Sequence, residues 1–140
     1  MCVLPVLAGC SAVRLGYNQG PELLYWWADG FLDFERGQSP QVRAALHEWM
    51  AWHRRTQLPL YVTFLARVRD EMLTDVTPER VCAAGDEVRV LIQGALVQGV
   101  APAAALLPLL QAAQVVHLER KLAERERAWR REHLPASTAE

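Results

Sequence analysis

A thiol closes the tetrapeptide Leu7-Ala8-Gly9-Cys10, where small residues precede a cysteine behind a short apolar run. The chemistry that suits this spacing is cleavage after Gly9 followed by acylation of Cys10. Cys10 then becomes the first residue, carries covalent lipid, and tethers the chain behind it to a membrane. The plain alternative is an apolar N-terminus that merely contains a cysteine. Val3, Leu4, Val6 and Leu7 form a short hydrophobic segment with no Lys or Arg before it. A leader usually has both a longer run and a basic start, so the natural start is expected upstream of Met1.

Other reactive groups are thinly spread. His47, His53, His117 and His133 include no pair at helical i, i+4 spacing and no cysteine cluster joins them, so no zinc site is expected. Cys82 and His53 are the one conceivable nucleophile and base, but Cys82 stands in the run Val81-Cys82-Ala83-Ala84. There a buried thiol acting as a small hydrophobe is the expected role. With Cys2 in the leader and Cys10 acylated, no disulfide framework is available. Neither a Gly-rich phosphate loop nor a Gly-x-Ser-x-Gly turn occurs. The expectation is a non-enzymatic protein without metal, cofactor or small-molecule substrate, apart from the lipid on Cys10.

Two groups of side chains suit contact rather than catalysis. Trp26 and Trp27 stand among Tyr17, Tyr25, Phe31 and Phe34, close behind Cys10, and Trp and Tyr favour the membrane interface. The competing and preferred reading buries them in a bundle with Trp49 and Trp52, one of the adjacent pair packing inward and the other staying at the rim. His53, Arg54 and Arg55 are expected at a helix end, where positive charge complements the dipole, paired with Asp29 or Asp33 or binding an anion. The charged stretch from Glu119 to Glu132 reads as a solvated helix face, with Glu126 and Arg130 in the favourable order for an ion pair. A docking surface for an acidic partner, for lipid headgroups or for a further C-terminal half is the alternative.

The elements that position these groups are helices punctuated by proline. Residues 21–34 make a short, very apolar helix ended by Glu35-Arg36-Gly37-Gln38. Ser39-Pro40 starts the next, with Val42, Ala45, Leu46, Trp49, Met50 and His53 on one stripe. Leu58-Pro59 is expected to break it, and a further pattern places Tyr61, Leu65, Val68 and Met72 together. Thr77-Pro78-Glu79 is another capped start, followed by a buried stripe of Val81, Val88, Leu91, Ile92, Ala95 and Leu96. Gly85, Gly94 and Gly99 each weaken that helix by up to about 1 kcal/mol relative to Ala, and fraying is expected near Gly99-Val100-Ala101-Pro102. The last helix runs from near Pro108 to about His133 on Val115, Leu118, Leu122 and Trp129. The stretch Val88 to Leu110 is interrupted by Arg89, Gln93, Gln98, Pro102 and Pro108, so no internal membrane span is expected.

Hydrophobic residues at 51% with 22% charged describe a globular chain, and 140 residues suffice for one modest core. Fifteen basic against sixteen acidic residues leave a net charge of −1 and no field that favours nucleic acid. With no alternating strand in view, the fold class is all-α: antiparallel helical hairpins packed as a small bundle. The expected organisation is residual leader over 1–9, lipidated linker over 10–20, helical domain over 21–134 and disordered tail over 135–140.

Three blocks carry a family resemblance: Cys10 to Asn18, Leu24-Tyr25-Trp26-Trp27 with Phe31-Leu32-Asp33, and Trp52-His53-Arg54-Arg55-Thr56-Gln57-Leu58-Pro59-Leu60-Tyr61. Together with His117 to Glu124 and Arg130 to Pro135 they resemble a family of proteobacterial lipoproteins, domain of unknown function 6279. The resemblance implies a lipidated helical envelope protein that meets membrane and an unknown envelope protein, and it supplies no activity. It also implies a further helical half beyond this chain's end, so an incomplete chain is expected. By analogy with lipoproteins, Ser11 after Cys10 implies retention at the outer membrane, facing the periplasm. Leu110-Gln111-Ala112-Ala113-Gln114 is similar to the Leu-Ser/Thr-Pro-Glu-Gln motif of small helical periplasmic chaperones, keeping Leu110 and Gln114 and lacking the hydroxyl. A chaperone-like binder is therefore the second reading.

Overall fold

In a computed structural model, residues 13–74 and 76–134 are described, and every element among them is helical. After a short helical stretch over residues 13–18 come α1 (Gly20–Leu32), α2 (Ser39–Met72), α3 (Pro78–Leu106), a 3-10 turn (Leu107–Leu109) and α4 (Ala112–His133). The all-α expectation holds. The chain divides into two compact units, one built from residues 1–43 and 108–140, the other from 44–107. Residues 1–12, Asp75 and 135–140, and with them Cys10, the expected leader and the expected tail, lie outside the described residues.

In the first unit α1 packs against α4. Pro21 and Tyr25, one turn apart, face inward. The helix stops at Asp33, whose left-handed φ of 48° lets its N–H reach the Asp29 carbonyl at 2.7 Å. Asp and Asn tolerate that conformation better than most residues. The Asp29 carboxylate completes the stop by accepting the Phe34 N–H at 2.9 Å. Tyr25 is fixed on three sides. Its hydroxyl pairs with Ser39 Oγ at 2.8 Å, its ring stacks on Phe34, and the Arg43 guanidinium lies 3.8 Å from the ring centroid. Arg43 also pairs with Glu22.

Gln38 and Gln114 are buried polar groups at the centre of this unit. Each side-chain amide donates to the other at 2.9 Å. Gln38 Nε2 also donates to the Leu109 carbonyl, and its Oε1 accepts the Glu35 N–H. Gln114 Nε2 reaches the Leu32 and Asp33 carbonyls, while its Oε1 accepts the Gln111 N–H at 2.8 Å. Two side chains thus satisfy backbone groups at the end of α1, before α2 and at the start of α4, where helices leave donors and acceptors unpaired. This bond to Gln111 sets the start of α4 at Ala112; Pro108, expected to begin the helix, lies in the preceding 3-10 turn.

The second unit is an antiparallel hairpin. Trp49 of α2 lies against Gly99 of α3, while Arg67 pairs with Glu87 and Val68 lies near Val81 and Ala84. α2 runs through Pro59 without ending, which corrects the expected break at Leu58-Pro59. A proline interrupts one i to i−4 bond, and the carbonyl it leaves unserved belongs to Arg55, an exposed residue that water reaches. α3 likewise passes Gly99 and Pro102 and continues to Leu106, so the expected fraying does not occur. Its start follows expectation, with Thr77 Oγ1 accepting the Arg80 N–H at 3.4 Å and Pro78 in the first turn. The Glu79 carboxyl is held below its ordinary pKa by its own backbone N–H and by the Thr77 hydroxyl.

The stripe from Val42 to His53 on α2 is buried or half-buried as expected. The expected stripe on α3 is not. Ala95 is buried and Leu91 half-buried, but Val81, Val88, Ile92 and Leu96 are exposed, as are Leu65 and Met72 of α2 and Val115, Leu122 and Trp129 of α4. Only the narrow side of α3 through Ala84, Leu91, Ala95 and Gly99 turns toward α2, so one neighbour covers a fraction of an apolar circumference. Pro78–Leu109 is long and apolar enough to cross a membrane by length and composition, which corrects the expectation that no such segment exists. Glutamines and prolines interrupt it, yet they carry no charge.

Candidate interaction surface

Trp26 and Trp27 are 67% and 63% exposed. Their expected burial in the bundle fails because α1 packs through Pro21 and Tyr25. The next two positions are rotated by about 100° and 200° from Tyr25, which carries both indoles off the packed side. Trp27 contacts Phe31 with ring centroids 5.1 Å apart, and Arg125 of α4 stands 5.3 Å from the Phe31 centroid. Exposed Leu23 belongs to the same helix, so α1 presents an aromatic and aliphatic surface.

His53, Arg54 and Arg55 belong to the other unit and stand within α2, far from its end. The helix dipole therefore does not stabilise their charge, because that effect is confined to a helix's first and last turns. Arg54 and Arg55 are exposed. His53 is half-buried in an aromatic group, 5.3 Å from the Trp49 ring centroid and 5.5 Å from that of Tyr61, with Nε2 at 3.2 Å from the Tyr61 hydroxyl. Burial lowers its pKa by disfavouring the charged imidazolium. Asp29, a suggested partner of this group, serves the end of α1. Trp49 Nε1 is buried without a hydrogen-bond partner and faces Gly99 at 3.4 Å from where a Cβ would stand.

Cys82 is exposed, which corrects its expected burial. Its apolar neighbours Val81 and Ala83 are exposed too, since α3 has more apolar surface than α2 covers. His53 belongs to the Trp49 end of the hairpin and Cys82 to the Val68 end, so the structure does not assemble them as nucleophile and base. Among the described residues no three His, Cys, Asp or Glu side chains converge as a metal site. Near Cys82, Val68, Met72, Val76, Val81 and Ala84 line an open, mostly apolar groove. Arg67 pairs with Glu71 at 2.7 Å and with Glu87 beside it.

On α4, Arg130 reaches Glu126 at 2.7 Å, as the spacing predicts, and Arg120 reaches Glu124 at 3.3 Å. Both pairs are exposed, so each contributes at most a few tenths of a kcal/mol, about 0.2–0.5. From the sequence Gln38 stands in the stretch that ends the first helix and Gln114 in the chaperone-like motif, and neither is expected to be buried, since glutamine ordinarily marks a surface. The one available signal was Gln114 at the third position after Gln111, the spacing of a capping box.

No curated protein and no solved structure matches the chain. The profile described as "Family of unknown function (DUF6279)" matches residues 30–138, covering α2, α3, α4 and the end of α1. The chain therefore belongs to the DUF6279 family, a family of unknown function.

Proposed function

We propose that this is a lipid-anchored helical protein of the bacterial envelope, held at the outer membrane with its helices in the periplasm, and that it acts by contact rather than catalysis. The acylation motif ending at Cys10 supports the tether. The observation that carries the contact reading is the exposed pair Trp26 and Trp27, large apolar side chains of the type enriched at interfaces. Arg54 and Arg55 add an exposed cationic surface on the second unit. The partners are the membrane, through the Cys10 lipid, and an envelope protein.

A chaperone-like binder is the second reading, favoured by the open apolar groove lined by Val68, Met72, Val76, Val81 and Ala84. Cross-linking and pull-down from envelopes distinguish the two. Contact with one defined partner, lost on Trp26→Ala/Trp27→Ala, supports an accessory protein; capture of many unfolded chains, lost on Met72→Glu, supports the binder. Cys10→Ala is expected to abolish acylation, read by mass spectrometry as loss of the lipid mass that the unsubstituted chain carries in cells. An unsubstituted chain without that added mass would sink the anchored reading.

A further inference from the structure

The surface least accounted for is the outer side of α3. Val90 and Val97 stand seven residues apart, Ile92, Leu96 and Val100 four apart, and Leu107 seven beyond Val100; all six are exposed. At 100° per residue these positions sweep a broad outward arc. No Asp, Glu, Lys or Arg interrupts the chain between Arg89 and Glu119. Two ordinary explanations for so apolar a helix fail here. A core helix would be covered, and almost none of this one is; a leader sequence would stand near the N-terminus, and this helix begins at Pro78.

We propose that α3 lies on a lipid bilayer, with Ile92, Leu96, Val97 and Val100 set into the acyl boundary. A protein partner is less well matched, because protein interfaces carry a polar rim around an apolar core. From Val90 to its end at Leu106 α3 has no charged residue on any side, its polar side chains there being the neutral Gln93 and Gln98, while Gly94, Ala101 and Ala105 occupy the flank. Full immersion of the hairpin is excluded by α2, which along the matching stretch exposes Glu48, Arg54 and Arg55, charges that hydrocarbon rejects. The hairpin therefore rests along the interface, α3 toward lipid and the charges of α2 toward water. This deepens the envelope reading by naming lipid as the ligand of a second contact, and it does not require the Cys10 acyl group.

The test uses the full chain carrying Cys10→Ser, which cannot be acylated, with vesicles of phosphatidylethanolamine and phosphatidylglycerol. Flotation is expected to carry the protein upward, and Leu96→Glu/Val100→Glu is expected to cut the partition at least tenfold. Val62→Glu, on an exposed position of α2, is expected to leave it unchanged. Both substituted surfaces are solvent-facing, and an unchanged helical circular dichroism spectrum verifies the fold. A Val97→Trp chain adds a depth reading, with brominated acyl chains expected to quench the new indole. Failure to float, equal flotation of the Leu96→Glu/Val100→Glu chain, or a dimer in solution that this variant dissociates would each overturn the proposal. Acylation of Cys10 is read separately in cells, so either result stands without the other.

Discussion

Gln38 and Gln114 form a reciprocal amide pair, each donating to the other at 2.9 Å across 76 positions of chain. The pair occupies the place where a hydrophobic contact would normally close a small unit. Among the described residues of this unit the buried apolar side chains are Pro21, Tyr25 and Val42, so hydrogen bonds at the helix ends carry an unusual share of its specification.

Gln114→Ala is expected to destabilise the protein by about 2–3 kcal/mol, since it strands a buried amide and the Gln111 N–H. Gln38→Ala is expected to cost about 1–3 kcal/mol by the same reasoning. Because the two share one network, the double variant should lose less than the sum of the single losses, with a coupling of about 1 kcal/mol or more in urea unfolding. Strict additivity would mean that the pair is not formed in solution.

Gly94 and Gly99 should respond differently to substitution. An added Cβ at Gly94 meets nothing within 4 Å, so Gly94→Ala is expected to raise stability by about 0.5–1 kcal/mol through helix propensity. At Gly99 the Cβ would stand 3.4 Å from Trp49 Nε1, an ordinary contact, but a larger side chain displaces the indole. Gly99→Leu is expected to cost about 1–3 kcal/mol by overpacking, read from urea midpoints.

The His53 imidazole gives the hairpin a pH dependence of definite sign. Its folded pKa is lowered by burial, so the unfolded chain binds the proton more readily. The stability present above about pH 6.5, the ordinary histidine value, is lost as pH falls through that value toward the lower folded one. His53→Gln should flatten the slope of unfolding free energy between about pH 7.5 and 5. An unchanged slope would place the titration elsewhere.

Cys82 is expected to react with a maleimide in the native state. In a chain carrying Cys2→Ser and Cys10→Ser it is the remaining thiol. Labelling should proceed at a rate close to that in urea, as for an exposed thiol with no barrier of opening. Strong protection without denaturant would contradict the exposure of α3.

Local chemistry was legible in the sequence wherever one residue acts on its own helix. Thr77 caps α3, Val42 to His53 form a covered stripe on α2, and Glu126 pairs with Arg130, each decided by spacing alone. What failed depended on neighbours. Pro59 and Pro102 read as stops because a proline disfavours a helix, yet surrounding turns carry α2 and α3 past them. Val81, Val88, Ile92 and Leu96 read as core because hydrophobicity says which groups avoid water, not what covers them. Trp26 and Trp27 followed the same error, and the amide pair was hidden because two glutamines in sequence carry no sign of facing each other. Of the candidate surface, the residue types were legible; that Trp26 and Trp27 are solvent-facing and that His53 is mid-helix were not.

The amide pair also sets an order of events. Contacts within the α2 and α3 hairpin grow outward from the turn that joins them, whereas Gln38 can meet Gln114 only after the intervening chain has been looped out. Closure entropy delays such distant encounters, so the first unit is expected to acquire its protected amides last when the chain refolds. In pulse-labelled hydrogen exchange, the Gln111 and Glu35 amides should gain protection after those of α3, making this small knot of glutamines the latch rather than the nucleus of the fold.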